Sequence, residues 1–456
     1  MSQRFLFTAW PFAGHLLPML SIAIALRERG HEVAFYSGET ARATVEQAGF
    51  ELFAFEQVDE ERVVQLLRSV DGAGPRARPD GARVFPLLRE WLAETIPDQV
   101  TDLRGVLARW SADAIFTDVS LWGPMLVLWE ADQIPVALSS TIMGTQIPGP
   151  DAPPPGFGLS PPRTRLGRLA AAALTRAAEL GAMPMRKRVD EVRAQHGLPP
   201  LGESVNRYTA RLPLYIVGNV RELDFNRRDL PDSVQYVGHC IWYPERPGSR
   251  QWLDSIPTER PWVHVTESTM ACGDPFLLRT AIDAFAEEPV EVVLTTGEER
   301  YAKVLAEGPL PANVHAAGWV SHGELLPRCS ALVTLGGKST VLAAAEAGVP
   351  MVIVPNNWDK PSNARRVTEA GAGIRLSPRR LDAPRLRAAV RELLDDPSYR
   401  QAAQRLAAQL ASAPGPARAA ELLEQLTPAG SAMTCAAEAT RGSRSRLMFA
   451  PQRVAR

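Results

Sequence analysis

One stretch decides the fold: Leu332-Val-Thr-Leu-Gly336-Gly337-Lys338-Ser339-Thr340-Val-Leu-Ala-Ala-Ala-Glu-Ala-Gly348-Val-Pro350-Met-Val-Ile-Val-Pro355-Asn-Asn-Trp-Asp359-Lys360-Pro-Ser-Asn363. An apolar run ends in paired glycines and small hydroxyl residues. An alanine-rich helix follows, and a second apolar run stops at Pro355. A strand–Gly-Gly–helix turn aims free backbone N–H groups and the positive end of a helix at one point, which suits a phosphate. The second strand ends beside it, where open parallel sheets hold ligands. The residues therefore predict a phosphate-bearing ligand with a polar group met by Asp359.

Outward from this stretch, short apolar runs alternate with amphipathic segments. Strands are expected at 5–8, 33–36, 51–55, 114–117, 136–139 and 214–217, with helices at 17–29, 41–47, 84–94, 100–110 and 166–195. A second series of strands falls at 262–266, 290–295, 314–316, 331–334 and 350–354, with helices at 383–394, 398–411 and 415–426. Such alternation indicates α/β domains built on parallel sheets with right-handed crossovers. A chain of 456 residues exceeds one ordinary core. The expected division is 1–240, a proline-rich linker at 241–261, 262–426, and a disordered tail at 427–456. That tail carries five arginines against one acid, Glu438. Residues 148–162, rich in Pro and Gly, read as a long mobile loop.

Composition excludes several classes. A net charge of −1 argues against a nucleic-acid backbone or an anionic membrane as partner. Cys240, Cys272, Cys329 and Cys435 lie far apart, with no metal-ligand spacing, which fits reduced thiols and a cytoplasmic location. The apolar N-terminus imitates a signal peptide, but Pro11, Gly14, His15 and Pro18 interrupt it. A buried strand, a turn and a helix explain it better. No uninterrupted apolar span of ~20 residues is present, so no integral membrane segment is expected.

The 332–363 stretch closely resembles the donor-site signature of family 1 glycosyltransferases, nucleotide-sugar-dependent enzymes of the GT-B fold. Gly336, Gly337, Ser339, Thr340, Gly348, Pro350, Pro355, Asp359 and Asn363 keep the family's order and spacing. Leu335 stands where the family has histidine, Ala343 where it has a ribose-binding glutamate, and Lys360 where it has glutamine. The resemblance implies two Rossmann-like domains facing across a cleft. It also implies a nucleotide-diphosphate sugar as co-substrate, with no cofactor or metal, and a monomer or homodimer. Its nearest kind, bacterial macrolide and other polyketide glycosyltransferases, implies a small, largely apolar acceptor.

Transfer to a hydroxyl needs a base. His15, in Pro11-Phe-Ala-Gly14-His15-Leu-Leu-Pro18, follows the first strand, and Asp118 closes the strand Asp113-Ala-Ile-Phe-Thr-Asp118. Singly, His15 reads equally as a helix-start residue and Asp118 as a turn cap. Together they match the family's catalytic pair, a general base and the carboxylate that orients it. On the donor side the resemblance places Thr269, Gly337, Ser339 and Thr340 at the diphosphate, Trp319 under the base and the Val320 amide at the base edge. Asp359 and Lys360 would meet the sugar. Alternatives remain open: Thr269 as a polar strand end, Trp319 as a core side chain, and Lys338 either as a phosphate cation or as a solvated lysine. His31 and His196 read as helix-end residues and His264 as core. The expected activity is inverting, metal-independent sugar transfer. The alternative is a non-catalytic GT-B protein that activates a partner glycosyltransferase.

Overall fold

Strands with almost no polar face must be covered on both sides, and that requirement sets the architecture. The computed structural model describes residues 2–71, 81–244, 249–267, 274–297, 304 and 308–427. Seven strands form the first sheet: β1 (Arg4–Thr8), β2 (Glu32–Ser37), β3 (Glu51–Ala54), β4 (Ala114–Asp118), β5 (Val136–Ser139), β6 (Leu214–Val217) and β7 (Val234–Tyr236). Six form the second: β8 (Trp262–Thr266), β9 (Glu291–Thr295), β10 (Val314–Ala317), β11 (Cys329–Thr334), β12 (Met351–Ile353) and β13 (Gly373–Arg375). The orders are β3-β2-β1-β4-β5-β6-β7 and β10-β9-β8-β11-β12-β13. Every pairing among them is parallel. This is the two-sheet α/β arrangement of the GT-B fold.

Side chains alternate between two apolar layers. In β1, Phe5 and Phe7 join one cluster and Leu6 the other. In β11, Leu332 faces one layer while Val333 faces the opposite one. Each sheet thus lies between two apolar layers.

Several expectations need correction. The helix expected at 166–195 is two, Arg165–Gly181 and Met183–Gln195. Pro184, in the first turn of the second, has no N–H to donate and its ring crowds the preceding turn. The 148–162 loop is anchored rather than free. Gly156 N–H donates to Ser362 Oγ (2.9 Å), Arg375 donates to the Gly158 carbonyl (2.7 Å), and Arg163 pairs with Glu369 (2.6 Å). Linker residues include a helical turn, Ser249–Asp254, with Leu253 and Ile256 in the second domain's core. Apart from Thr427, the expected tail lies outside the described residues.

The last helix, Pro416–Leu426, packs on the first domain rather than the second. Ala419, Ala420 and Leu423 are fully buried in the cluster around Phe7 and Leu20. Glu424 accepts from Arg29 (2.6 Å) and pairs with His31 (2.7 Å) at the end of the Ala13–Glu28 helix. Those bonds, with burial opposing, draw the Glu424 carboxyl down to about 2. Leu423→Ala should therefore destabilise the protein by about 2–5 kcal/mol, read as a lower urea midpoint.

Candidate active site

Open parallel sheets bind ligands where strand order reverses. In the first sheet that reversal lies between β1 and β4, and in the second between β8 and β11. His15 and Asp118 follow β1 and close β4; the Gly336–Gly337 turn follows β11. Topology alone brings the expected residues to two crevices.

Asp118 has no exposure to solvent. Its Oδ1 accepts from Ser120 N–H (2.7 Å) and Ser120 Oγ (2.6 Å), and its Oδ2 meets His15 Nδ1. Burial works to raise this carboxyl, but the charge and hydrogen bond of His15, with both Ser120 bonds, outweigh it and hold the pKa below the ordinary value. His15 keeps a fifth of its side chain exposed and packs edge-on against Phe12, ring centroids 5.6 Å apart. With Nδ1 directed at the carboxylate, Nε2 is left to accept a proton from the cleft. Sequence reasoning did not single out Ser120. Its hydroxyl two residues after an Asp was the available signal.

On the opposite side, Gly336 adopts φ +92°, and a Cβ there would stand 2.6 Å from Ile353. Gly337 caps the Lys338–Glu346 helix, whose first turn holds no acidic residue and no side-chain cap. Its leading N–H groups are thus available to an anion. Ser339 and Thr340 are half-buried on that turn. Asn363, fully buried, donates to the Gly336 carbonyl (2.9 Å) and to Asp359 Oδ2 (2.7 Å), tying the glycine turn to the start of the Lys360–Glu369 helix. Lys360 donates to Asn357 Oδ1 (2.8 Å). Trp319 is half-buried just beyond β10, and Val320 sends its side chain into the core. Thr269 lies outside the described residues. His264 is fully buried beside Thr295 (3.0 Å), and burial holds its imidazole well below the usual pKa.

Lys338 is not a solvated lysine. It is 7% exposed, and its ammonium donates to the Ser140 carbonyl of the first domain (2.5 Å). Burial pulls its pKa down to about 8, against the upward influence of Cys240, Asp359 and Asp118. A further link across the cleft was not foreseen. Trp358, at φ +55°, meets Trp91 edge-on (6.2 Å), and Trp91 packs on Trp10 (6.0 Å). The signal was a tryptophan directly before Asp359.

Leu335 is 2% exposed and belongs to the apolar layer of Val265, Val333 and Val354. Leu335→His should thus lower stability by about 1–3 kcal/mol, because the ring enters a layer without polar partners; a thermal melt reads this. Asp118 gives a pH test. Its folded pKa is depressed, so the stability it contributes is complete above the ordinary carboxylate range and is lost as pH falls through the depressed value. Asp118→Asn should unfold less steeply with acid below about pH 4 than the unchanged protein.

Residues 279–426 match the family model "Erythromycin biosynthesis protein CIII-like, C-terminal domain". Over 439 residues the chain is 35% identical to 4'-demethylrebeccamycin synthase of Lentzea aerocolonigenes, covering 93% of this chain and 100% of that one. Among solved structures, the glycotransferase of kitacinnamycin superposes with TM-score 0.72 at 24% identity, over 94% of this chain and 99% of the other. A Streptomyces glycosyltransferase complexed with thymidine diphosphate gives TM-score 0.66 at 22% identity, over 93% and 99%.

Proposed function

Because the chain belongs to the glycosyltransferases of antibiotic and other natural-product biosynthesis, we propose that it moves a sugar from a nucleotide-diphosphate donor to a small, largely apolar aglycone, with inversion and without a metal ion. The observation that carries this reading is the His15–Asp118 pair, a half-open imidazole held by a buried carboxylate at the crevice of the first sheet. His15 Nε2 takes the acceptor's hydroxyl proton as the oxygen attacks the anomeric carbon. The bond to the donor's phosphate oxygen breaks on the opposite face, and the nucleoside diphosphate leaves with the electron pair. Asp118 stabilises the imidazolium that forms.

The leaving diphosphate is met in this reading by the N–H groups of the Lys338–Glu346 helix, by Ser339, Thr340 and Thr269, and by Lys338. These supply the positive field that a cation would otherwise provide. Trp319 stacks on the base, the Val320 amide reads its edge, and Asp359 with Lys360 meets sugar hydroxyls. The thymidine diphosphate bound by the Streptomyces neighbour supports a pyrimidine nucleotide here. The half-buried Trp358, packed on Trp91 of the first domain, supports an apolar acceptor. The altered donor positions, Leu335, Ala343 and Lys360 among them, suit the auxiliary-protein alternative, whereas the retained His15–Asp118 pair speaks against it.

His15→Ala should lower kcat by about 10²–10⁴-fold while binding of thymidine diphosphate, read by calorimetry, is unchanged. Combining it with Asp118→Asn should add little, because the two act as a unit. Turnover should be insensitive to EDTA. Full turnover by His15→Ala, or its loss in EDTA, would overturn the mechanism.

A further inference from the structure

The described residues expose six large apolar side chains, and all six fall between positions 157 and 183. They are Phe157 (50%), Leu159 (44%), Leu166 (78%), Leu169 (66%), Leu180 (50%) and Met183 (48%). Exposed apolar residues scattered singly are ordinary; their confinement to one segment is not. The Arg165–Gly181 helix buries a single residue, Thr175. Leu166, Leu169 and Leu180 stand within ~60° of one another around its axis, so they form one stripe turned to the outside. Beside the stripe opens a cavity of about 600 Å³ lined by Leu159, Pro161, Ala170 and Leu174, with Arg163 and Glu369 at its polar side.

The charges carried by the segment are mostly of one sign. Between 163 and 188 lie Arg163, Arg165, Arg168, Arg176, Arg186, Lys187 and Arg188, against one acid, Glu179. Arg163 and Arg188 hold carboxylates closely, each at 2.6 Å, through Glu369 and Glu94. Arg168, Arg176, Arg186 and Lys187 have only loose pairs at 3.7, 3.8, 3.9 and 3.9 Å. Loose exposed pairs hold little charge back from another partner. The net charge of −1 hides this local excess.

We propose that the 157–183 surface docks on an anionic lipid surface, with the leucine stripe in the acyl boundary and the arginines among the headgroups. Apolar residues on one side and basic residues flanking them are what a helix lying in a membrane interface requires. A second copy fits less well. Parallel pairing of two such helices sets Arg168 against Arg168, and either pairing brings together two segments in which seven basic residues stand against one acid, Glu179. The arginines at 441, 444, 446, 453 and 456 make the chain's own C-terminal residues the wrong sign as well. This inference stands apart from the transfer chemistry, and its test reads binding rather than turnover.

The full-length protein would be sedimented with vesicles of phosphatidylcholine alone and of phosphatidylcholine with phosphatidylglycerol, at low and high salt. Binding is expected to the anionic vesicles and to weaken with salt. The double variant Leu166→Glu, Leu169→Glu should bind at least about tenfold more weakly, with an unchanged melting temperature because both side chains are exposed. No vesicle binding, or equal binding to both compositions, would overturn the proposal. So would undiminished binding by the double variant, which retains every C-terminal arginine and would assign the affinity to that segment. A concentration-dependent dimer lost in the double variant, without vesicle binding, would assign the surface to a second copy instead.

Discussion

A carboxylate with no contact with water is the constraint around which the first domain is arranged. Asp118 ends β4 under the crevice, where ionisation without partners would cost several kcal/mol. Ser120 supplies two donors and His15 the third. The imidazole is therefore fixed from below, and its free edge points to the cleft. His15 in turn sits near the start of the Ala13–Glu28 helix, whose far end is held by Glu424 through Arg29 and His31. A residue near the described C-terminus thereby helps to set the bearing of the helix that carries His15. Buried charge, satisfied at one end and salt-bridged at the other, makes the first domain a rigid seat for chemistry.

The second domain is held to that seat by polar contacts as well as by apolar ones such as Met143, Val220 and Leu223 in its core cluster. Arg366 donates to Asp224 (2.6 Å), both almost without exposure, while Tyr236 donates to the other oxygen of Asp224 (2.5 Å) and Phe225 lies under the guanidinium (4.4 Å). Arg366 belongs to the helix that begins beside Asp359. The turn at Asp359 is thus registered against the first domain through a buried cation. Trp91 and Trp358 meet as well, so segments of the two domains touch directly.

Much of this was legible because the sheets are parallel and covered on both faces. Runs such as 292–294 and 351–353 are apolar without interruption, as strands covered on both faces read. β7 and β13, three residues each, are too short to show a pattern. The break near Ala182 follows from Pro184, whose effect an alanine-rich helical pattern obscures. The docking of the Pro416–Leu426 helix on the first domain was not legible, since its partners lie about four hundred residues earlier. His15 and Asp118 were legible as a pair because strand ends on either side of a reversal must converge. Ser120, Trp358 and the cross-cleft bond of Lys338 depend on side-chain direction, which spacing alone does not give.

The orientation of residue 335 explains the most conspicuous departure from the family pattern. In β11 and just beyond it, Val333 and Leu335 face the same apolar layer. A polar group at 335 has to turn away from that layer to reach the cleft, whereas leucine fills it. The positive charge stands instead at Lys338, inside the first turn of the following helix. That is the unfavourable end of the helix for a cation. Burial adds to the penalty and brings the ammonium to about 8, so at neutral pH its proton is held only modestly. The Ser140 carbonyl compensates in part, but a neutral acceptor is a weaker partner for an ammonium than an anion is. A cation, a positive helix end and a glycine turn at one point leave a surplus of positive potential. Its charge rests on a contact from the opposite domain, so the field at this end of the cleft depends on the two domains staying closed.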